Sequence, residues 1–199
     1  MYRRRFMWGL SNGVLILGLA GCFWMGIAAS RTDDFSTRLG LLDTAGVLAS
    51  VLGFLRLRRK SEGFQLSEMK GGSAQDRRVL RQINAGFRKI VILETVLVSI
   101  AVGLIEYFHR EDLLWPAIGL AVSLHFIPLA RLFRVRTYYT TATLGVLVCL
   151  AGLARPAVAD PVVVGFLMAI VMWGSAAWLV VRCEHIASAG APAESAARA

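Results

Sequence analysis

The chain has 199 residues, of which 56% are hydrophobic and 18% are charged, with a formal net charge of +9. Soluble globular domains average about 45–50% apolar and about 25% charged residues. This composition excludes disordered, collagen-like and disulfide-stapled proteins. It also argues against a water-soluble enzyme domain, because a domain of this size does not bury so much apolar surface. The composition therefore predicts an integral membrane protein that crosses the bilayer several times.

Six apolar stretches are long enough to cross a membrane, since a helix needs about 20 residues to span a hydrocarbon core of about 30 Å. They are continuous runs and lack the alternation of barrel strands. The predicted spans cover residues 6–29, 39–57, 90–108, 113–133, 137–154 and 162–181. We therefore predict an all-α polytopic membrane protein, a bundle of six transmembrane helices arranged as three hairpins. Because the first apolar run is longer than a signal-peptide core and a second span follows closely, we expect it to stay uncleaved.

The longest connection, residues 58–89, is rich in charge, glycine and serine. Ser73 and Asp76 in this segment resemble a helix capping box. Apolar residues then recur at helical spacing up to Phe87, which predicts an amphipathic helix at the membrane surface that continues into the third span. We assign residues 1–186 to a single transmembrane domain that includes this basic segment, and residues 187–199 to a flexible tail.

The basic residues are distributed very unevenly between the two sides of the predicted bundle. Eighteen of the 22 Lys and Arg residues lie on the side of the N-terminus, which predicts that both termini are cytoplasmic. The positive charge is then an orientation signal and not a nucleic-acid footprint. The predicted partners are the bilayer and its anionic lipids, contacted through Arg77, Arg78 and Arg81, with a homo-oligomer or a membrane partner protein as further options.

Few ionisable or strongly polar residues lie inside the spans, and such residues are candidate functional sites because they are costly in lipid. Glu94 lies four residues after the predicted cytoplasmic start of the third span, and His125 lies five residues before Ala130, at the predicted cytoplasmic end of the fourth. At 1.5 Å per residue both lie roughly 6–8 Å deep. Asn12 lies at a similar depth in the first span. These three are candidate ligand-binding residues, and a Glu–His pair can relay a proton or hold a cation. Asp43, near the opposite end of the second span, is a fourth candidate that either faces a cavity or pairs with Arg38.

The structural alternative for these groups is ordinary pairing. Glu94 then bonds Arg88, Lys89 or Arg131, and His125 bonds a neighbouring helix.

Pro128 removes a helical hydrogen bond in the fourth span and predicts a kink there. Cys22, Cys149 and Cys183 show no metal-ligand or disulfide spacing, so neither a metal nor a cofactor is expected. No catalytic motif of a known enzyme class occurs, which disfavours an enzyme.

Small residues recur at four-residue spacing within several spans, and this spacing predicts close contacts between helices. Gly46 and Ser50 form one such pair in the second span, and Gly165 and Ala169 form another in the sixth. Aromatic residues near span ends, Tyr138 among them, are interpreted as anchors at the membrane interface.

Residues 123–133 contain the run His125-Phe-Ile-Pro128-Leu-Ala, followed by Tyr138, Tyr139 and Thr140. This pattern resembles a group of uncharacterised bacterial small multi-pass membrane proteins that carry a similar His-Phe-x-Pro-Leu-Ala segment and an aromatic–Thr step. The resemblance implies a bacterial cytoplasmic-membrane protein of unassigned activity, in which residues 125–128 matter.

Two functions lead at the level of sequence, and an intramembrane enzyme is a third, disfavoured one. The first is a small transporter or transporter accessory subunit with a polar site in the inner leaflet at Glu94 and His125. The alternative is a structural or interaction protein whose basic segment docks a partner or anionic lipid.

Overall fold

The computed structural model describes residues 2–31, 36–69, 74–155 and 160–188, and side chains within 13–31, 38–59, 81–155 and 160–185. All regular elements in these ranges are helical, so the all-α prediction is confirmed. The helices are α1 Tyr2–Ala29, α2 Ser36–Met69, α3 Ala74–Tyr107, α4 Leu114–Phe133, α5 Arg136–Ala154 and α6 Pro161–Ser188. A 3₁₀ turn at Glu111–Leu113 precedes α4.

The described helices are long and apolar enough to cross a membrane. Five of them, α2 to α6, meet this criterion over 19 to 27 residues each. The described part of α1 that was tested, Gly13–Ala29, is apolar but shorter. Length and composition therefore support a membrane protein with several spans.

Two helices extend well beyond the apolar runs. The sequence predicts the end of the second span at residue 57, and α2 continues beyond it to Met69, so the first part of the connection between the second and third spans is helical as well. The reason is that these residues include good helix formers such as Arg, Lys, Glu and Leu, and contain no proline. The predicted continuation of the basic segment into the third span is confirmed, since α3 is one helix from Ala74 to Tyr107. Ser73 of the predicted capping box lies outside the described residues.

Successive helices run antiparallel, and most of the described basic residues lie toward one end of the bundle. An ion pair of 2.9 Å between Arg56 and Glu184 joins the later part of α2 to the end of α6. The rings of Phe87 on α3 and Phe133 on α4 lie 6.3 Å apart, which places the first half of α3 beside the end of α4. We call this the basic end, since it also holds the turn between α4 and α5 with Arg134.

Four helices form the interior and two lie outside them. The most extensive contacts join α1 to α6 and α1 to α2, followed by those of α4 with α5; α2 packs mainly on α1 and α3 on α4. The helices predicted to form hairpins do contact each other, namely α1 with α2, α3 with α4 and α5 with α6. The contact between the first and last helices, α1 and α6, is nevertheless more extensive than any of these. Exposed leucines and isoleucines, including Leu41 and Leu52 on α2 and Ile92 and Ile100 on α3, line the two outer helices. Such contiguous apolar surface is typical of membrane contact.

Glycines allow the close approach of α1, α2 and α6. The indole ring of Trp173 on α6 fills the space beside Gly21 and Gly46, where a methyl group would collide with it. The same indole nitrogen donates a hydrogen bond of 3.2 Å to the carbonyl of Gly18. Ser50 lies directly against Gly18, so the predicted contact role of the Gly46 and Ser50 pair is confirmed.

Candidate functional site

One face of α3 is directed at the rest of the bundle and lines a cleft near the basic end. The lining positions on this helix follow one another at intervals of one, three or four residues, which places them along a single stripe. They are Ile83, Asn84, Phe87, Ile90, Val91 and Glu94. Facing them are residues of α1, α4 and α5, so the cleft separates α1 from α3 and has α4 and α5 at its back.

The cleft has a volume of about 580 Å³, within the range of about 300–1,000 Å³ that small-molecule sites occupy. Most of its lining is apolar. The remaining lining residues are Gly13, Leu15, Ile16, Leu17, His125, Phe126, Leu129, Phe133 and Tyr138. Ligand pockets combine such apolar walls with a few convergent polar groups, and this cleft has the same composition.

The main polar feature of the cleft is the pair formed by Glu94 and His125, which the sequence predicts as candidates. Nδ1 of His125 lies 3.4 Å from Oε1 of Glu94. This distance suits an ion pair, but the geometry is not that of a hydrogen bond, and Nδ1 has no hydrogen-bond partner in the described part of the chain. Among the described residues, Glu94 makes its ion-pair contact with His125 and not with Arg88, Lys89 or Arg131.

Burial makes the imidazole the unusual member of this pair. Only 9% of the His125 side chain is exposed, against 29% of the Glu94 side chain. A buried polar atom without a hydrogen-bond partner is rare in native proteins, because its desolvation is not compensated. Nδ1 of His125 is thus a buried polar atom whose near charged neighbour is Glu94 and which lacks a hydrogen bond of good geometry among the described residues.

Aromatic side chains form the wall beside the pair. The rings of His125 and Phe126 lie 4.3 Å apart, and Phe126 and Phe133 each lie about 6 Å from Tyr138. The chain turns sharply between α4 and α5 at Arg134, whose left-handed backbone (φ 55°) ends α4 and brings Tyr138 back onto α4. The Tyr138 hydroxyl in turn lies against Gly13, where no side chain is in the way.

The cleft is flanked by apolar residues exposed at the surface of the bundle. Ile16 on α1 is 46% exposed and Val91 on α3 is 41% exposed. Helix α3 packs mainly on α4 and makes few contacts with α1, which leaves the gap between α1 and α3 at the side of the bundle.

The other predicted site residues do not belong to the described lining of this cleft. Asp43 lies on α2 against α1, where Cys22 Sγ is 4.0 Å from its backbone carbonyl, and Asp43 Oδ1 has no hydrogen-bond partner among the described residues. Asn12 lies in α1 next to the cleft residue Gly13, but its side chain is outside the described residues. The same holds for the side chains of Arg77 and Arg78, whereas that of Arg81 is exposed on α3.

Pro128 and the cysteines add no chemistry that the structure displays. Pro128 lies inside α4, which continues to Phe133, and the predicted kink stays a prediction. Cys149 and Cys183 are buried, and Cys22 is half-buried. Within the described ranges no group of three His, Cys, Asp or Glu residues has the arrangement of a metal site.

Sequence reasoning missed part of the cleft wall. Phe87 appeared as an apolar residue of a surface helix, and Tyr138 as an interface anchor, whereas Phe87 lines the cleft and Tyr138 is only 4% exposed. The interface interpretation of Tyr138 is therefore wrong. Phe87 could have been predicted from its spacing to Glu94, because residues at helical spacing between the two positions lie on one face of the helix.

Comparisons of the chain with protein-family models, curated proteins and solved structures found no match.

Proposed function

We propose that the protein is a small transporter whose Glu94–His125 cleft binds the transported solute and a proton. One observation carries the proposal: a cleft of about 580 Å³ that contains a carboxylate and an imidazole nitrogen without a hydrogen-bond partner. Ionisable groups at membrane depth are costly and commonly mark substrate or proton pathways.

The chemistry of the pair suits proton-coupled binding. A carboxyl group carries either a proton or a negative charge, and an imidazole acts as donor, acceptor or cation according to its protonation. Because the two groups lie 3.4 Å apart, the protonation of one changes the electrostatic energy of the other. A solute that binds beside Glu94 therefore competes with a proton or changes its affinity.

We further propose that the chain crosses the membrane six times, with both termini in the cytoplasm. The support is the distribution of basic residues, eighteen of which fall on the side of the N-terminus, and the antiparallel order of the helices. The basic end then faces the cytoplasm, and the cleft lies in the inner half of the membrane. The resemblance of residues 123–140 supports a bacterial cytoplasmic membrane.

Solute-driven proton movement tests the proposed function. The purified protein is reconstituted into liposomes that contain a pH-sensitive dye, and four classes of solute are added: quaternary ammonium cations, organic sulfonates, amino acids and neutral sugars. One class should change the internal pH faster than in protein-free liposomes. Glu94→Gln and His125→Ala should each slow this change by about tenfold or more, since functional general acid–base groups contribute at least that much.

Asp43→Asn is the matched control, because Asp43 is also an acid within a span but lies outside the described cleft lining. It should keep the wild-type rate. All variants are first shown to be monodisperse and helical in detergent. If no solute class moves protons, or if folded Glu94→Gln and His125→Ala proteins move them at the wild-type rate, the proposed function is wrong.

A further inference from the structure

The geometry points to a lipophilic organic cation as the ligand of the cleft, reaching Glu94 from the lipid phase through the gap between α1 and α3. This inference rests on the proposed function of the cleft as a solute site and specifies the chemical class of that solute. Three features of the described residues support it: the charge of the lining, its aromatic wall and its sideways opening.

The charge of the lining is the first feature. Among the lining residues that the structure describes, Glu94 is the one carboxylate and none is Lys or Arg. Its neighbour His125 carries a positive charge only when its imidazole is protonated. An ionised Glu94 in an apolar cleft therefore favours a cationic ligand, and the attraction is strong because the surroundings have a low dielectric constant.

The aromatic wall is the second feature. Phe87, Phe126, Phe133 and Tyr138 all line the cleft, together with leucine and isoleucine side chains. Aromatic faces attract organic cations, and apolar walls bury the hydrocarbon substituents of such cations. A small hydrated cation gains little from these walls, whereas a bulky cation with apolar substituents contacts both the walls and the carboxylate.

The sideways opening is the third feature. Ile16 and Val91, which flank the gap, are apolar and exposed, so these two side chains offer an apolar path to a ligand dissolved in the bilayer. An acyl chain of an anionic lipid would fit the same walls, but its headgroup would then lie near the carboxylate of Glu94, which repels it. The cleft therefore favours a cation over an anion of equal size.

Equilibrium binding of radiolabelled tetraphenylphosphonium to the purified protein in detergent micelles tests the inference. Tetraphenylborate, an anion of nearly the same shape, serves as the matched probe. We expect saturable binding of the cation and a Kd that rises about tenfold or more in Glu94→Gln, since the charge attraction is lost. Glu94→Asp keeps the charge and should retain most of the binding, which separates loss of charge from a general structural defect.

The outcomes distinguish this inference from the proposed function. Saturable binding of tetraphenylphosphonium that Glu94→Gln weakens, with no saturable binding of tetraphenylborate, supports a cation site. Equal binding of both probes, binding of the anion alone, or cation binding that folded Glu94→Gln leaves unchanged overturns it. The absence of saturable binding of either probe also overturns the inference. In each of these cases the proposed function stands or falls separately, because proton movement driven by sulfonates, amino acids or sugars would still show a transport site at Glu94 and His125.

Discussion

Replacing Trp24 by alanine should destabilise the protein by about 3–5 kcal/mol, the usual cost of deleting a large buried aromatic side chain. Trp24 is 1% exposed and lies where α1 meets α4 and α6. Its ring forms an edge contact with Trp115 on α4 at a centroid distance of 6.4 Å. The neighbouring Gly119 has no side chain that could move into the space left by alanine. Unfolding by sodium dodecyl sulfate in mixed micelles, followed by circular dichroism, measures the loss.

Phe23, the residue before Trp24 in α1, provides the matched control. Its side chain is 59% exposed, and its ring makes an edge contact with the ring of Trp24 at a centroid distance of 5.7 Å. Phe23→Ala should therefore cost no more than about 1 kcal/mol, the scale of one aromatic pair. If Trp24→Ala fails to fold, Trp24→Phe offers a milder deletion that should still cost more than Phe23→Ala. Equal stability of the variants at the two positions would contradict the packing described for α1.

Replacing Gly165 by alanine should have the second large effect on stability. A methyl group at this position would lie 2.6 Å from the carbonyl oxygen of Trp24 and 3.0 Å from the backbone nitrogen of Ala28. Both atoms belong to the backbone of α1, which cannot turn aside as a side chain can. Helices α1 and α6 must therefore separate, with an expected cost of about 1–3 kcal/mol from overpacking. The same detergent unfolding measures it.

Gly174, nine residues further along α6, is the control for this substitution. No atom in the described part of the chain lies within 4 Å of a methyl group built there, so Gly174→Ala should be neutral or stabilise by up to about 1 kcal/mol through helix propensity. A Gly165→Ala protein as stable as Gly174→Ala would show that α1 and α6 do not pack closely at this point.

The helices were predictable because apolar runs of membrane length have few alternative structures. The ends of α4 and α5 lie within one residue of the predicted limits, at Leu114 and Arg136. The end of α2 was not predictable from hydropathy, because charged residues that leave the apolar run still favour helix. Its continuation to Met69 depends on helix propensity, which an analysis of apolar length ignores.

The central pair of the site was predictable and the cleft around it was not. Glu94 and His125 stood out because few ionisable residues lie inside the spans, and equal depth on successive spans allowed contact. Asp43 gave the same signal, but it lies on the outer helix α2 against Cys22 of α1. The approach of Tyr138 to Gly13 depends on how α5 sits beside α1, and no local pattern encodes that arrangement.

The six crossings that we propose would place the cleft in the inner half of the membrane, and a topology measurement tests them most directly. A reporter that is active only in the cytoplasm is fused after Ala199, and one that is active only outside is inserted at the turn between α3 and α4, at residues 110–112. We expect both reporters to be active, since an even number of crossings returns the C-terminus to the cytoplasm. An inactive cytoplasmic reporter after Ala199, with an outside reporter active at the same position, would contradict the six-span arrangement and the placement of the Glu94–His125 cleft.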